Sequence, residues 1–223
     1  MLRRRTLFIL VGWIVAFAIA CSLDTSVART MHETGFAETL KSHKMLCAAL
    51  KAPGEYWFAV LAAIAVFVLR GRDWKSAVFL LLATAMSGTN GLVKWIVGRT
   101  RPYKLFHEMS GEAYLAPFQL EPFRGGLGGL FRSKNLGFPS GHACMAFAVA
   151  ESLAMLWPRG RWAYYAVASV TATERFSENA HYLSDCVAGA AIGIVGVHLI
   201  HWFWFSIVLP RFESPPTDNA GLK

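Results

Sequence analysis

Apolar residues run in long blocks along this chain, separated by short stretches that are basic or rich in glycine and proline. A bilayer-spanning helix needs roughly 20 mostly apolar residues, and several blocks approach or reach that length. The pattern predicts spans over residues 7–22, 56–69, 74–96, 140–157, 162–176 and 185–209. The second is short unless it begins near Pro53. The expected fold class is all-α, a polytopic membrane bundle of six transmembrane helices. One domain covers residues 1–210. The remainder, RFESPPTDNAGLK, is a short polar cytoplasmic tail whose two prolines and composition predict disorder.

The bilayer reading changes what the charge means. A net charge of +8 on a soluble protein would suggest nucleic acid. In a chain that is 55% hydrophobic and 16% charged, Lys and Arg instead mark cytoplasmic loops, and no nucleic-acid partner is expected. Six spans put both termini on one side. That side collects Arg3, Arg4, Arg5, Arg70, Arg72, Lys75, Arg159, Arg161 and Arg211, all in short segments beside span ends. The opposite side holds the 23–55 loop, the 97–139 loop and the 177–184 turn. The expected location is a bacterial cytoplasmic membrane. The N-terminus, MLRRRTLFILVGWIVAFAIACS, also has the basic and apolar regions of a signal peptide. Ala18 is small where a lipoprotein cleavage box has a larger aliphatic residue, so an uncleaved first span is expected. Cys21, Cys47, Cys144 and Cys186 lack CxxC spacing and read as small apolar residues.

Three polar clusters fall at span ends on the far side. In KWIVGRTRP, Lys94 and Arg101 are seven residues apart, which predicts one shared helix face. Pro102 predicts that the span ends at Arg101. In FPSGHA, Ser140 is placed to start a helix, Gly141 allows close approach of a ligand, and His142 lies in the first turn. The unpaired N–H groups and positive dipole end of that turn make an anion site. In ERFSENAHYLSDCVAG, His181 and Asp185 stand at i and i+4, neighbours if one helix covers both. Asp185 would fix the imidazole tautomer and leave the other nitrogen basic. Each cluster alone also has a plain reading: snorkelling cations, an N-cap, an interfacial turn. Together they supply three cations, a helix N-terminus, two histidines and a carboxylate, a pocket for a compact, multiply charged anion such as phosphate. Two His and one Asp would suit zinc, but Lys94, Arg101 and Arg175 would repel a divalent ion, so no metal or other cofactor is expected.

The motifs K-x6-RP (Lys94 to Pro102), PSGH (Pro139 to His142) and R-x5-H-x3-D (Arg175 to Asp185), in this order, resemble the type 2 phosphatidic acid phosphatase (PAP2) family, which shares its site with vanadium haloperoxidases. The resemblance covers residues from about 90 to 190 and extends to the six-span layout. It departs at Glu174, where the family usually has Ser. It implies that His181 attacks phosphorus, that Asp185 orients His181, and that His142 protonates the leaving oxygen and then activates water. It implies that Lys94, Arg101, Arg175, Ser140 and the Gly141 backbone hold the phosphoryl oxygens. Substrates in the family are undecaprenyl pyrophosphate, phosphatidylglycerol phosphate, phosphatidic acid and lipid A phosphates. The expected partners are a membrane lipid phosphate and the bilayer, with the site on the periplasmic or extracellular face. No sequence signal bears on oligomeric state.

Two loops bear on the lipid. ETGFAETLKSHKMLCAALK is amphipathic enough to lie in the interface. Phe118, Phe123, Arg124, Phe131 and Arg132 are candidates for a lid over the head group. HLIHWFWF, with His198 and His201, reads as an aromatic belt. Two other readings compete: a non-catalytic membrane binder or carrier of a phosphorylated lipid, and a vanadate-dependent peroxidase. The histidine pair with its carboxylate argues against the first, and the membrane spans argue against the second.

Overall fold

The computed structural model describes residues 2–108, 120–123, 126 and 136–212, with the side chains of 2–6 and 106–108 left aside. The proposed tail from 213 onward, and Phe118, Arg124, Phe131 and Arg132 of the proposed lid, lie outside the described residues. The helices are α1 (Leu2–Glu33), α2 (Phe36–Ser42), α3 (Lys44–Lys51), α4 (Tyr56–Leu69), α5 (Trp74–Ala85), α6 (Asn90–Val97), α7 (Pro102–Glu108), α8 (Gly141–Leu156), α9 (Arg161–Ser177) and α10 (Leu183–Phe203). Among the described residues the extended pairing is limited to an isolated bridge between Thr100 and Leu136.

Among the described residues, three helical stretches are long and apolar enough to cross a bilayer: Leu7–Glu33, Trp74–Val97 and Leu183–Arg211. A fourth is the pair Lys44–Gly54 and Tyr56–Leu69, bent by 57°. The expected count of six is therefore reached only by adding α8 and α9. The helix Gly141–Leu156 is apolar but short. The last turns of α9 carry Glu174 and Arg175. Large apolar side chains cover the outside, among them Leu7, Phe8, Ile14, Val60, Ile64, Val68, Val195, Leu199 and Trp202. An apolar exterior of this extent suits hydrocarbon rather than water.

The first helix outruns its predicted end at residue 22 by about three turns. No Pro or Gly occurs between residue 22 and Gly35, and a buried stripe continues through the polar part: Ala20, Asp24 and Ala28, each four residues apart. This stripe faces α10. The predicted interfacial stretch becomes α2 and α3.

The short helix α8 lies at the centre, packed against both α9 and α10. Its residues from Ala143 to Met145 and from Ala148 to Ala150 are nearly all enclosed, so its length need not match the bilayer. Contact with α10 depends on Gly189 and Gly193, one turn apart: a Cβ on the first would collide with the Ser140 carbonyl, and on the second with the Cys144 carbonyl. At the opposite end, His201 stacks near Phe79 and Phe205, and Trp204 donates to the Lys75 carbonyl at 3.1 Å. His198, which the sequence placed in the belt, pairs with the buried Glu151 of α8 at 2.9 Å. Tyr165 also donates to Glu151.

Candidate active site

The K-x6-RP segment folds differently from its spacing. α6 stops at Val97 because Gly98 takes a left-handed conformation, φ 66°, and its N–H caps the Lys94 carbonyl. Lys94 and Arg101 therefore do not share a helix face. Pro102 starts the next helix instead of ending this one. The two cations meet because Leu136 and Gly137 run beside Arg99 and Thr100, with the Gly137 N–H donating to the Arg99 carbonyl at 2.7 Å. Lys94 Nζ donates to the carbonyls of Leu136 (2.9 Å) and Gly137 (3.2 Å). Arg101 Nε reaches the same Leu136 carbonyl at 3.3 Å, and Nη1 reaches that of Ala180 at 3.5 Å.

PSGH forms the expected helix start. Ser140 Oγ accepts from the Ala143 N–H at 3.4 Å, and the Ser140 N–H donates to the Asp185 carbonyl at 2.9 Å. Gly141 begins α8, with open space where a Cβ would sit. His142 Nε2 lies 3.0 Å from Glu55 Oε1 at the start of α4. A carboxylate only accepts, so this nitrogen carries a hydrogen.

The third motif also forms without the helical geometry its spacing suggested. His181 precedes the N-cap Tyr182, and α10 begins at Leu183. Asp185 is the third helical residue, and its Oδ2 reaches back to the Tyr182 N–H at 2.9 Å, half of a capping box. The same oxygen faces His181 Nδ1 at 3.6 Å, the nearest ionic partner of that nitrogen and just beyond hydrogen-bond length. The turn before it is held by the His181 N–H donating to the Arg175 carbonyl (3.2 Å) and by Asn179, φ 57°, whose Nδ2 donates to the Ala28 carbonyl (3.1 Å). His181 is buried, and burial first, then the charges of Lys94 and Arg101, push its pKa down to about 3 against the opposing pull of Asp185. It is a neutral base at pH 7.

Glu174, the residue that departs from the family motif, does not face away. It grips Arg175 with both oxygens, Nε to Oε2 at 2.5 Å and Nη2 to Oε1 at 2.7 Å, while Glu178 takes Nη2 as well. Cys47 Sγ and these two carboxylates lie within 4.8 Å of one another. Arg175 already donates to both acids, which argues against a divalent ion there. The charge of Arg175 still acts on His142 and on Arg101. The predicted residues thus form one electrostatic neighbourhood, although Arg175 meets it through two acids.

The sequence reading missed Asp24, Glu55 and Arg99. Arg99 Nη1 donates to Asp185 Oδ1 and to Ser184 Oγ, both at 2.7 Å, and Nη2 donates to Asp24 Oδ2 at 2.7 Å. Its guanidinium lies 3.9 Å over the Tyr182 ring. Arg99 sits inside K-x6-RP but is not a named motif residue. Asp24 was assigned to a loop. Its one signal was the four-residue stripe of Ala20, Asp24 and Ala28.

A model of the PAP2 superfamily matches residues 74–208. The chain belongs to this superfamily. The lipid A 4'-phosphatase of Bacteroides thetaiotaomicron is 29% identical over 179 residues, covering 75% of this chain and 73% of that one. The lipid A 1-phosphatase of Rhizobium johnstonii is 33% identical over 137 residues, 61% of this chain and 47% of the relative. The chain thus spans just under half the length of the Rhizobium protein. In structure it resembles the transmembrane PAP2-type phosphatidylglycerolphosphate phosphatase of Bacillus subtilis, with a TM-score of 0.55, 18% identity, and coverage of 88% of this chain and 96% of that one. That likeness supports the fold. This PAP2 chain is an integral membrane protein and a phosphatase.

Proposed function

We propose that this PAP2 lipid phosphatase removes a phosphate from a lipid A phosphate through a phosphohistidine intermediate, without a metal. The names of the relatives put lipid A ahead of undecaprenyl pyrophosphate, phosphatidylglycerol phosphate and phosphatidic acid. The observation that carries the mechanism is the pinned Asp185 carboxylate, with one oxygen facing His181 Nδ1 and Lys94 and Arg101 acting on the same imidazole.

In the first step the Nε2 lone pair of His181 attacks phosphorus, the P–O bond to the lipid breaks, and His142 gives its proton to the leaving oxygen. Asp185 offsets the charge that develops on the imidazole. In the second, His142 takes a proton from water, the resulting hydroxide attacks phosphorus, and the P–N bond breaks to release inorganic phosphate and neutral His181. Lys94, Arg101, Arg175, Ser140 and the N–H groups at Gly141 hold the phosphoryl oxygens and stabilise charge in the transition state. The cations take the role that magnesium has in other phosphoryl transfers.

The same reading makes α8 and α9 the fourth and fifth of six spans within one domain over residues 1–210, followed by a cytoplasmic tail. It places both termini in the cytoplasm of a bacterial inner membrane and the site on the periplasmic or extracellular face. Phosphate release in detergent with EDTA, from a panel of those four lipids, tests it. Lipid A phosphate is expected to rank first, and His181→Ala to lose on the order of 10³-fold or more. No release from any lipid would favour the binder. Release abolished by EDTA would refute metal independence.

A further inference from the structure

A buried charged cluster that the motif roles leave largely unused lies behind His181. Asp24, Arg99, Ser184 and Asp185 are each at most 1% exposed. Asp24 Oδ1 accepts from the Ser184 N–H at 2.9 Å, and Oδ2 accepts from Ser184 Oγ at 2.5 Å and Arg99 Nη2 at 2.7 Å. Arg99 passes the contact on to Asp185 Oδ1. Asp185 is thereby held at both ends, Oδ1 by Arg99 and Oδ2 by the Tyr182 N–H. Rotation of the carboxylate is blocked, and Oδ2 stays in front of His181.

Buried charges of this kind are poor stabilisers, since apolar residues of similar volume often do as well. An apolar helix bundle has little structural need for two carboxylates and a guanidinium in a row. Arg suits the task, because its planar fork serves both carboxylates and the serine hydroxyl at once, where Lys would be a single point charge. We propose that Asp24 and Arg99 are positioning residues for the reaction, a line from α1 through Arg99 that fixes Asp185 and, through it, His181. The first helix is then part of the catalytic scaffold. The inference rests on the phosphohistidine reading above, and its test is arranged to separate the two.

Purified wild type, H181A, D24N, R99K, D185N and D24N/D185N are compared for kcat and KM on one lipid phosphate, per folded molecule, with melting followed in parallel. D24N and R99K are expected to lower kcat about tenfold or more with KM within about twofold. D24N should cost little further in the D185N background, because both act through one carboxylate. Should D185N fall below detection, the split between kcat and KM in the two single variants decides. Turnover within about twofold of wild type in either single variant would overturn the proposal. So would a loss from D24N that adds in full to that of D185N, or failure of both single variants to fold. Activity surviving in H181A would instead refute the nucleophile assignment, whatever the other variants do.

Discussion

At the scale of single residues, the site is a contest between burial and charge. His181 loses its proton affinity because burial disfavours the imidazolium and two cations repel it. The sign follows directly. In the proposed mechanism His181 must be unprotonated to attack, and a lowered pKa keeps it so at more acid pH. The acid limb of kcat/KM, which reports the free enzyme, is expected well below pH 6.5, and a pH profile with a His181-dependent limb near 6.5 would contradict the account. Arg175 presents the opposite case. Two carboxylates offset its charge before any phosphate arrives. Glu174→Ser removes one of them, so KM for a lipid phosphate is expected to fall several-fold with a smaller change in kcat. An unchanged KM in steady-state assays would mean that Arg175 does not meet the substrate.

The motif residues stand out at this scale, and Lys94, Arg101, Ser140, His142, Arg175, His181 and Asp185 all carry interactions at the same end of the bundle. Asp24, Glu55 and Arg99 were not legible, because their meaning lies in partners distant in sequence. Asp24 meets Ser184 across 160 residues and Glu55 meets His142 across 87.

At the scale of elements, hydropathy located the helices but not their breaks. The spans expected over 74–96 and 185–209 match Trp74–Val97 and Leu183–Arg211 within two residues at each end. The first span was cut short because its later turns are polar in sequence, yet they bury Asp24 and Ala28 on the side facing α10. The spacing of Lys94 and Arg101 suggested a shared helix face, yet one glycine ends the helix between them and a neighbouring strand of chain, 136–137, reunites them. Gly98 is therefore a position where local backbone sets site geometry. Gly98→Ala would strain a left-handed residue and drive a Cβ into the Glu121 carbonyl. The expected cost is about 1 kcal/mol or more, read as a lower melting temperature, with activity lost as Arg101 shifts. A variant with unchanged melting would show that the turn adapts.

At the scale of the whole molecule, the fold brings the ends of α4, α6, α8, α9 and α10 together and leaves an apolar exterior. α8 needs no lipid-matched length because neighbours enclose it. The topology proposed from loop charge makes a direct prediction: a reporter active only in cytoplasm, fused after Arg211, should be active, and one active only in the periplasm should not. The reverse result would turn the site to the other face.

The central claim is covalent catalysis by His181. Rapid acid-free quenching of the enzyme with a lipid carrying labelled phosphate tests it most directly. The account predicts label on the wild-type chain, stable to base, lost in acid and absent from His181→Ala. Turnover of the wild type with no label at any time of quenching, or label that persists in His181→Ala, would contradict it.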